Sequence, residues 1–144
     1  MYDRKASKPA ASIVTILRNI PFFASLSDKE ISDLSQIISQ KSFSKNEIIL
    51  LEEDTPNYMY IIFFGKVKVV QVSADGREKV LTYHEKGDFF GEMALVDGKT
   101  SPATIIAIED TDIGLIHKAV FETYLMKNEI VLRHLVGMLC RRLR

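Results

Sequence analysis

Between Glu47 and His117 the sequence breaks into short runs rich in Val, Ile, Phe and Tyr, at 47–51, 58–64, 66–73, 78–84, 89–95, 103–109 and 112–117. Turn-forming residues separate them: Thr55-Pro56-Asn57, Asp75-Gly76, Lys86-Gly87-Asp88, Asp97-Gly98 and Asp110-Thr111. Many short extended segments with turns at close intervals predict an antiparallel barrel or sandwich. Val67 and Val69 alternate with Lys66 and Lys68, the pattern of a strand with one buried face.

Helical periodicity flanks this region on both sides. Ile13, Ile16, Leu17 and Ile20 predict a short amphipathic helix over 10–19, ended by Pro21. Leu26-Ser27-Asp28-Lys29-Glu30-Ile31 is a helix-start signature. Ser27 can cap the amide of Glu30, Glu30 can reach back, and Leu26 can staple onto Ile31. That helix is expected to reach about Gln40, with Ile31, Leu34, Ile37 and Ile38 on one face. At the other end, 118–126 forms one short helical segment and 128–144 a longer one opened by Asn128. The longer segment is apolar around well over half its circumference, with Arg133, Gly137, Arg141 and Arg144 on a narrow polar stripe. A helix lying on a barrel needs only an apolar stripe of about 100°. The surplus predicts a homodimer through Val131, Leu132, Leu135, Met138 and Leu139.

Composition removes several classes of function. The 144 residues suit one domain, and 19 basic residues balance 19 acidic ones. A neutral surface gives no general reason to bind nucleic acid or an anionic membrane. The single cysteine, Cys140, can form no intrachain disulfide, which suits a reduced, cytoplasmic setting. The longest strongly apolar run, Tyr58 to Phe64, is far short of the ~20 residues that span a bilayer. The strands offer no pair of histidines at alternate positions, so a metalloenzyme of the cupin type is not supported and no enzymatic activity is expected.

Leu17-Arg18-Asn19-Ile20-Pro21-Phe22-Phe23, Tyr60-Ile61-Ile62, Gly65-Lys66-Val67-Lys68-Val69, Asp75-Gly76-Arg77-Glu78, Gly87-Asp88-Phe89-Phe90-Gly91-Glu92 and Arg141-Arg142-Leu143 follow one another in this order. The chain resembles the cyclic-nucleotide-binding domain, and within that superfamily the sensor half of the cyclic-AMP receptor protein/FNR family of bacterial transcription regulators. The resemblance implies a mainly β fold with flanking helices: N-terminal helices over 11–40, an antiparallel jelly-roll-like β-roll over 42–117, and C-terminal helices over 118–144 that end in a dimerisation helix. It implies one sensor and dimerisation domain over 1–144. In the family a winged helix-turn-helix that binds DNA follows the sensor, and that module is expected to be absent from this chain, which stops at Arg144.

The family's phosphate cassette reads G-E-[LM]-[AS]-L, a short turn, then P-R-[AS]-A-T. The implied ligand-binding set here is Val69, Leu81, Phe90, Gly91, Glu92, Met93, Ala94, Ser101, Pro102, Ala103 and Arg142. Glu92 would accept a ribose hydroxyl, or else form a structural ion pair with Arg142. The cassette arginine is replaced by Ser101, and the next residue is Pro102, which has no N–H. At ~1.5–3 kcal/mol per charged hydrogen bond, the loss weakens cyclic-nucleotide binding by roughly a hundredfold to a thousandfold. The effector is therefore an unknown small molecule and not expected to be cyclic AMP. Lys99, the nearest cation, reads as a solvated hairpin-tip residue, and Glu53 stands where a turn glycine is usual, so a reshaped loop is expected there. Two alternatives remain. One is a haem-based gas or redox sensor using His84, His117, His134, a methionine or Cys140, although none of these has a spacing special to haem. The other is the regulatory module of a kinase or channel.

Overall fold

The computed structural model describes residues 10–144, with the side chains of 10–12 and of Arg142 outside the described set. Helix α1 (Ala10–Arg18) leads through a 3-10 turn (Pro21–Phe23) to α2 (Asp28–Ile37). The capping box forms as predicted: Glu30 N–H donates to Ser27 Oγ (3.1 Å) and Ser27 N–H to Glu30 Oε1 (3.0 Å).

Eight strands follow, β1 (Ser39–Phe43), β2 (Ile48–Leu50), β3 (Tyr58–Phe64), β4 (Lys66–Val72), β5 (Glu78–Glu85), β6 (Phe89–Phe90), β7 (Thr104–Ala107) and β8 (Thr111–His117). A short helix α3 (Glu92–Asp97) lies between β6 and β7. The strands form two antiparallel four-stranded sheets, ordered β1-β8-β3-β6 and β2-β7-β4-β5. The chain closes with α4 (Lys118–Val120), a π-helical turn (Phe121–Leu125) and α5 (Glu129–Leu143), whose first turn is capped by Asn128 Oδ1.

The β3 sequence Tyr-Met-Tyr-Ile-Ile-Phe-Phe is apolar throughout because both faces of its strand are buried. Tyr60 and Ile62 point into the roll, where they meet Phe43, Leu50, Val67, Phe90, Ile105, Ala107 and Ile113. Met59, Ile61 and Phe63 point the other way, into a cluster with Leu17, Ile20 and Phe23, Ile31 and Leu34 of α2, and Val131 and Leu135 of α5. One strand thus joins the two cores. The second sheet has only one buried face, which accounts for the Lys-Val alternation in β4.

Three expectations change. The predicted run 89–95 divides at Gly91, whose φ of 88 ends β6 after Phe90, and Glu-Met-Ala-Leu continues as α3. Helix α2 stops at Ile37, which is exposed, and Ser39–Phe43 becomes β1, paired with β8. Its polar Ser-Gln-Lys-Ser sequence hides a strand whose outer face meets solvent. Finally, Glu53 keeps a left-handed turn (φ 72) rather than reshaping the loop.

The C-terminal helix also divides its apolar residues differently from the expectation. Val131 and Leu135 are 1% and 2% exposed, spent within the chain's own helical core, and so are not available to a second copy. Met138 and Leu139 pack partly against the same cluster. The outward apolar stripe is instead Leu132, Val136, Leu139 and Leu143, at 4-3-4 spacing, with Val136 57% and Leu143 86% exposed. Cys140 is exposed beside that stripe.

Candidate functional site

Between the two sheets, a cavity of ≈ 460 Å³ opens where α3 meets β4, β5 and the start of β7. A bulge builds one wall. Val69 pairs with Thr82 but Val70 pairs with Val80, so Leu81 is the extra residue of β5. A bulge breaks the strict alternation of a strand and re-aims side chains. Leu81, Thr82 and His84 consequently all line the cavity, together with Val69 from β4.

The opposite wall is set by Gly91. A Cβ at this position would lie 2.8 Å from the Tyr60 ring and 2.9 Å from the Tyr58 carbonyl oxygen, so the chain passes too close for any side chain. The close approach places Phe90, Glu92, Met93 and Ala94 on the cavity. Phe90 stacks on Tyr60 at 4.9 Å between centroids and 7° between planes. Burial pushes the Tyr60 phenol above its usual pKa, with Tyr58 and Asp54 adding to the shift. Glu92 is 1% exposed and has an interaction partner within the protein.

The third wall is Ser101, Pro102 and Ala103. Its hydrogen bonds are turned inward. Ser101 N–H donates to Asp54 O (2.8 Å), Ser101 Oγ donates to Ala103 O (2.7 Å), and Glu53 N–H donates to Ser101 O (2.9 Å). Lys99 is exposed in the turn after α3 and does not line the cavity, and among the described residues no lysine or arginine does.

Ten of the sequence-derived candidates meet here: Val69, Leu81, Phe90, Gly91, Glu92, Met93, Ala94, Ser101, Pro102 and Ala103. The eleventh, Arg142, and with it the expected Glu92–Arg142 pair, lies outside the described residues. Leu50, Pro56, Thr82, His84 and Ile105 also line the cavity and were not anticipated. Thr82 and His84 were legible in principle, because they share the face that period-two alternation gives to one side of β5. His84 lies parallel to Phe90 (6.3 Å, 9°), with Nδ1 3.8 Å from Asp88 Oδ2. The other two histidines lie elsewhere: His117 Nδ1 accepts the Ala119 N–H that starts α4, and His134 is exposed on α5. Among the described residues no group of three or more His, Cys, Asp or Glu could hold a metal ion. No helix among them is long and apolar enough to cross a membrane.

A β-roll of this topology, with a glycine-led short helix on its cavity, defines a small-molecule-binding regulatory fold. The "Cyclic nucleotide-binding domain" family matches residues 40–128, and the chain belongs to it. It is 36% identical over 111 residues, 76% of this chain and 53% of the relative, to the cAMP-activated global transcriptional regulator CRP of Pasteurella multocida. Among solved structures it is similar to the regulatory subunit of a cAMP-independent protein kinase A from Trypanosoma cruzi bound to guanosine. That match has a TM-score of 0.74 and 25% identity over 82% of this chain and 42% of that one. A similar likeness, with TM-score 0.77 and 25% identity over 94% and 52% of the two chains, is to a triple variant of the Trypanosoma brucei subunit, one of its changes threonine to arginine, bound to cAMP in the A site. The chain spans 13–59% of the length of the curated relatives it matches.

Proposed function

We propose that this chain is an effector-sensing and dimerisation domain of a regulator of the cyclic-AMP receptor protein/FNR type, in which occupancy of the β-roll cavity alters the pose of α5. An attached helix-turn-helix would then read that pose as DNA binding. The cavity formed on the Gly91–Ala94 cassette is the observation that carries this reading. A packed route supports the coupling. Phe90 lines the cavity, and its neighbour Phe89 meets Phe22 at 5.3 Å on the 3-10 turn, against which α5 packs. The outward stripe Leu132, Val136, Leu139 and Leu143 supports a helix pair between two copies, the heptad-like spacing fitting a coiled seam. The domain's role is regulatory rather than catalytic, and its ligand is not cyclic AMP in the usual pose, because Ser101 and Pro102 stand where a guanidinium and an amide would grip the phosphate.

Two measurements test the reading. Sedimentation at tens of micromolar is expected to give a dimer, and Val136→Glu with Leu143→Glu, both at exposed positions, is expected to give a folded monomer. Native mass spectrometry of the gently purified protein is expected to show a co-purified small molecule. A wild-type monomer that carries no bound molecule and shows no ligand-dependent shift of α5 would refute it.

A further inference from the structure

We propose that Asp112 is a proton-operated latch: with its carboxyl protonated it holds the edge strand β1 on β8, and its ionisation loosens that strand as the pH rises. The latch stands apart from the cavity and does not depend on what the cavity holds.

Asp112 lies in β8, the strand between β1 and β3 in the first sheet, directly opposite Ser42 on one side and Phe64 on the other. Two residues from Gly114 and four from Ile116, it shares their face of β8, the face that Ile116 presents to the helical cluster. A Cβ at Gly114 would lie 2.2 Å from the Phe63 ring, so that ring crosses the strand one step along from Asp112. The carboxyl group is 7% exposed.

Its hydrogen bonding is half complete. Ser42 Oγ donates to Oδ1 at 2.7 Å, whereas Oδ2 is buried without a hydrogen-bond partner among the described residues. A carboxylate can only accept, and burying its charge with one donor and no cation is costly. The flanking strands offer no cation on this face. On β1, Gln40 and Ser42 share the face of Asp112, while Lys41 takes the opposite one, its Nζ 5.1 Å from the centroid of the Phe43 ring. Strand β3 contains no charged residue, and its titratable Tyr58 and Tyr60 lie toward the other end, opposite His117 and Leu115. Lys66 on β4 is turned over the Tyr83 ring of the second sheet. Lys45, Glu47, Glu109 and Asp110, in the turns at this end of the sheet, are exposed.

Burial pushes the Asp112 carboxyl above the ordinary carboxylate range. A proton held more tightly in the folded chain than in the unfolded one stabilises the fold fully below the ordinary carboxylate pKa of about 4. That stabilisation is lost as the pH climbs through the folded value.

The strand that yields is β1. Water reaches Oδ2 only when a flanking strand moves. Strand β3 is held between β8 and β6 and is buried on both faces, whereas β1 is an edge strand whose ladder is with β8 alone. Ile38 is the one residue between α2 and β1, so a loosened β1 pulls on the helical core in which α2 packs.

Urea denaturation of the whole chain and of Asp112→Asn, between about pH 4 and pH 8, tests the latch. The amide keeps the shape and cannot ionise, so the difference between the two curves isolates this group from the other carboxylates. Relative to the variant, the unmodified chain is expected to lose stability as the pH rises, its unfolding constant gaining about tenfold for each unit by which the carboxyl pKa is raised. Ser42→Ala, which removes the donor to Oδ1, is expected to steepen that loss. Hydrogen exchange, corrected for intrinsic rates, is expected to show protection of the Ser39–Phe43 amides falling over the same range in the unmodified chain and not in Asp112→Asn. Parallel stability curves, or β1 protection that does not respond to pH, would overturn the proposal. Should Asp112→Asn not fold, a carbon-13 titration of the Asp112 carboxyl in the unmodified chain decides together with its exchange data. A midpoint above the ordinary carboxylate value supports the latch, and one at or below that value overturns it.

Discussion

The two arms of the loop between β6 and β7 face each other across the cavity and have diverged in opposite directions. The first arm, Gly91 to Leu95, retains the glycine whose missing Cβ lets backbone pass Tyr60, and the buried glutamate after it. The second arm, Ser101 to Ala103, has closed on itself, with its hydrogen bonds directed to Asp54, Ala103 and Glu53 rather than to the cavity. The difference separates shape from recognition. Backbone geometry that the fold depends on is kept in one arm, while the groups that would read a charged ligand are gone from the other.

The largest effect that would test this division is in the first arm. Gly91→Val is expected to cost about 3 kcal/mol of stability. A left-handed φ costs a β-branched residue ~1–2 kcal/mol, and the clash with Tyr60 and the Tyr58 carbonyl adds a comparable amount. Urea denaturation measures it. A loss below about 1 kcal/mol would mean that Gly91 is retained for the ligand rather than for the fold.

The next effect is on affinity. Ser101→Arg with Pro102→Ser is expected to raise cyclic-AMP affinity about a hundredfold, and by more than the two single changes combined, because both donors grip one phosphate. Ser101→Lys in the same background separates charge from the planar fork and is expected to recover only part of the gain. If the unmodified protein binds cyclic AMP at micromolar strength, the second arm still reads phosphate and the contrast between the arms fails.

The first arm was largely legible in the sequence and the second only as a loss. Gly91-Glu92-Met93-Ala94-Leu95 stands out because each residue is constrained by several neighbours at once, so the pattern survives in residue types. The substitutions at Ser101 and Pro102 are equally visible, but their consequence depends on where displaced hydrogen bonds go, which only the packed loop reveals. The same holds for α5. Its apolar residues predict a wide face, yet they do not say that Val131 and Leu135 turn inward while Val136 and Leu143 turn outward. The helical period gives spacing, and tertiary packing gives phase. His84 was read only as a candidate haem ligand, because a histidine between Tyr83 and Glu85 looks like a solvent position until the bulge at Leu81 shows which face of β5 the cavity uses.

A smaller effect probes how the second arm is held. Ser101→Ala removes the Oγ–H to Ala103 O hydrogen bond at a buried position and is expected to cost about 1 kcal/mol. Thermal denaturation of the apo chain reads this directly. No loss would mean that the internal bond does not hold the arm shut, and that Ser101 can turn its hydroxyl toward a ligand at no cost.

The smallest effect lies in the turn that supports the second arm from outside. Glu53 adopts φ 72 and donates its N–H to Ser101 O. A left-handed conformation costs a residue with a Cβ ~1–2 kcal/mol, and glycine escapes that cost. Glycine in turn loses ~0.5–1 kcal/mol more on folding, because its unfolded chain is freer. The two nearly cancel, and the remainder favours glycine: Glu53→Gly is expected to stabilise the chain by about 0.5–1 kcal/mol. Glu53→Ala, which retains the strain and removes only the carboxylate, is expected to leave stability unchanged within about 0.5 kcal/mol. Asn46, at φ 74, supplies an internal reference, since asparagine tolerates this region and Asn46→Gly should gain less than Glu53→Gly. Urea melts of the three variants give the ranking. If Glu53→Ala stabilises as much as Glu53→Gly, the glutamate's charge rather than its backbone is at fault, and the turn below the second arm is not a strained copy of a glycine turn.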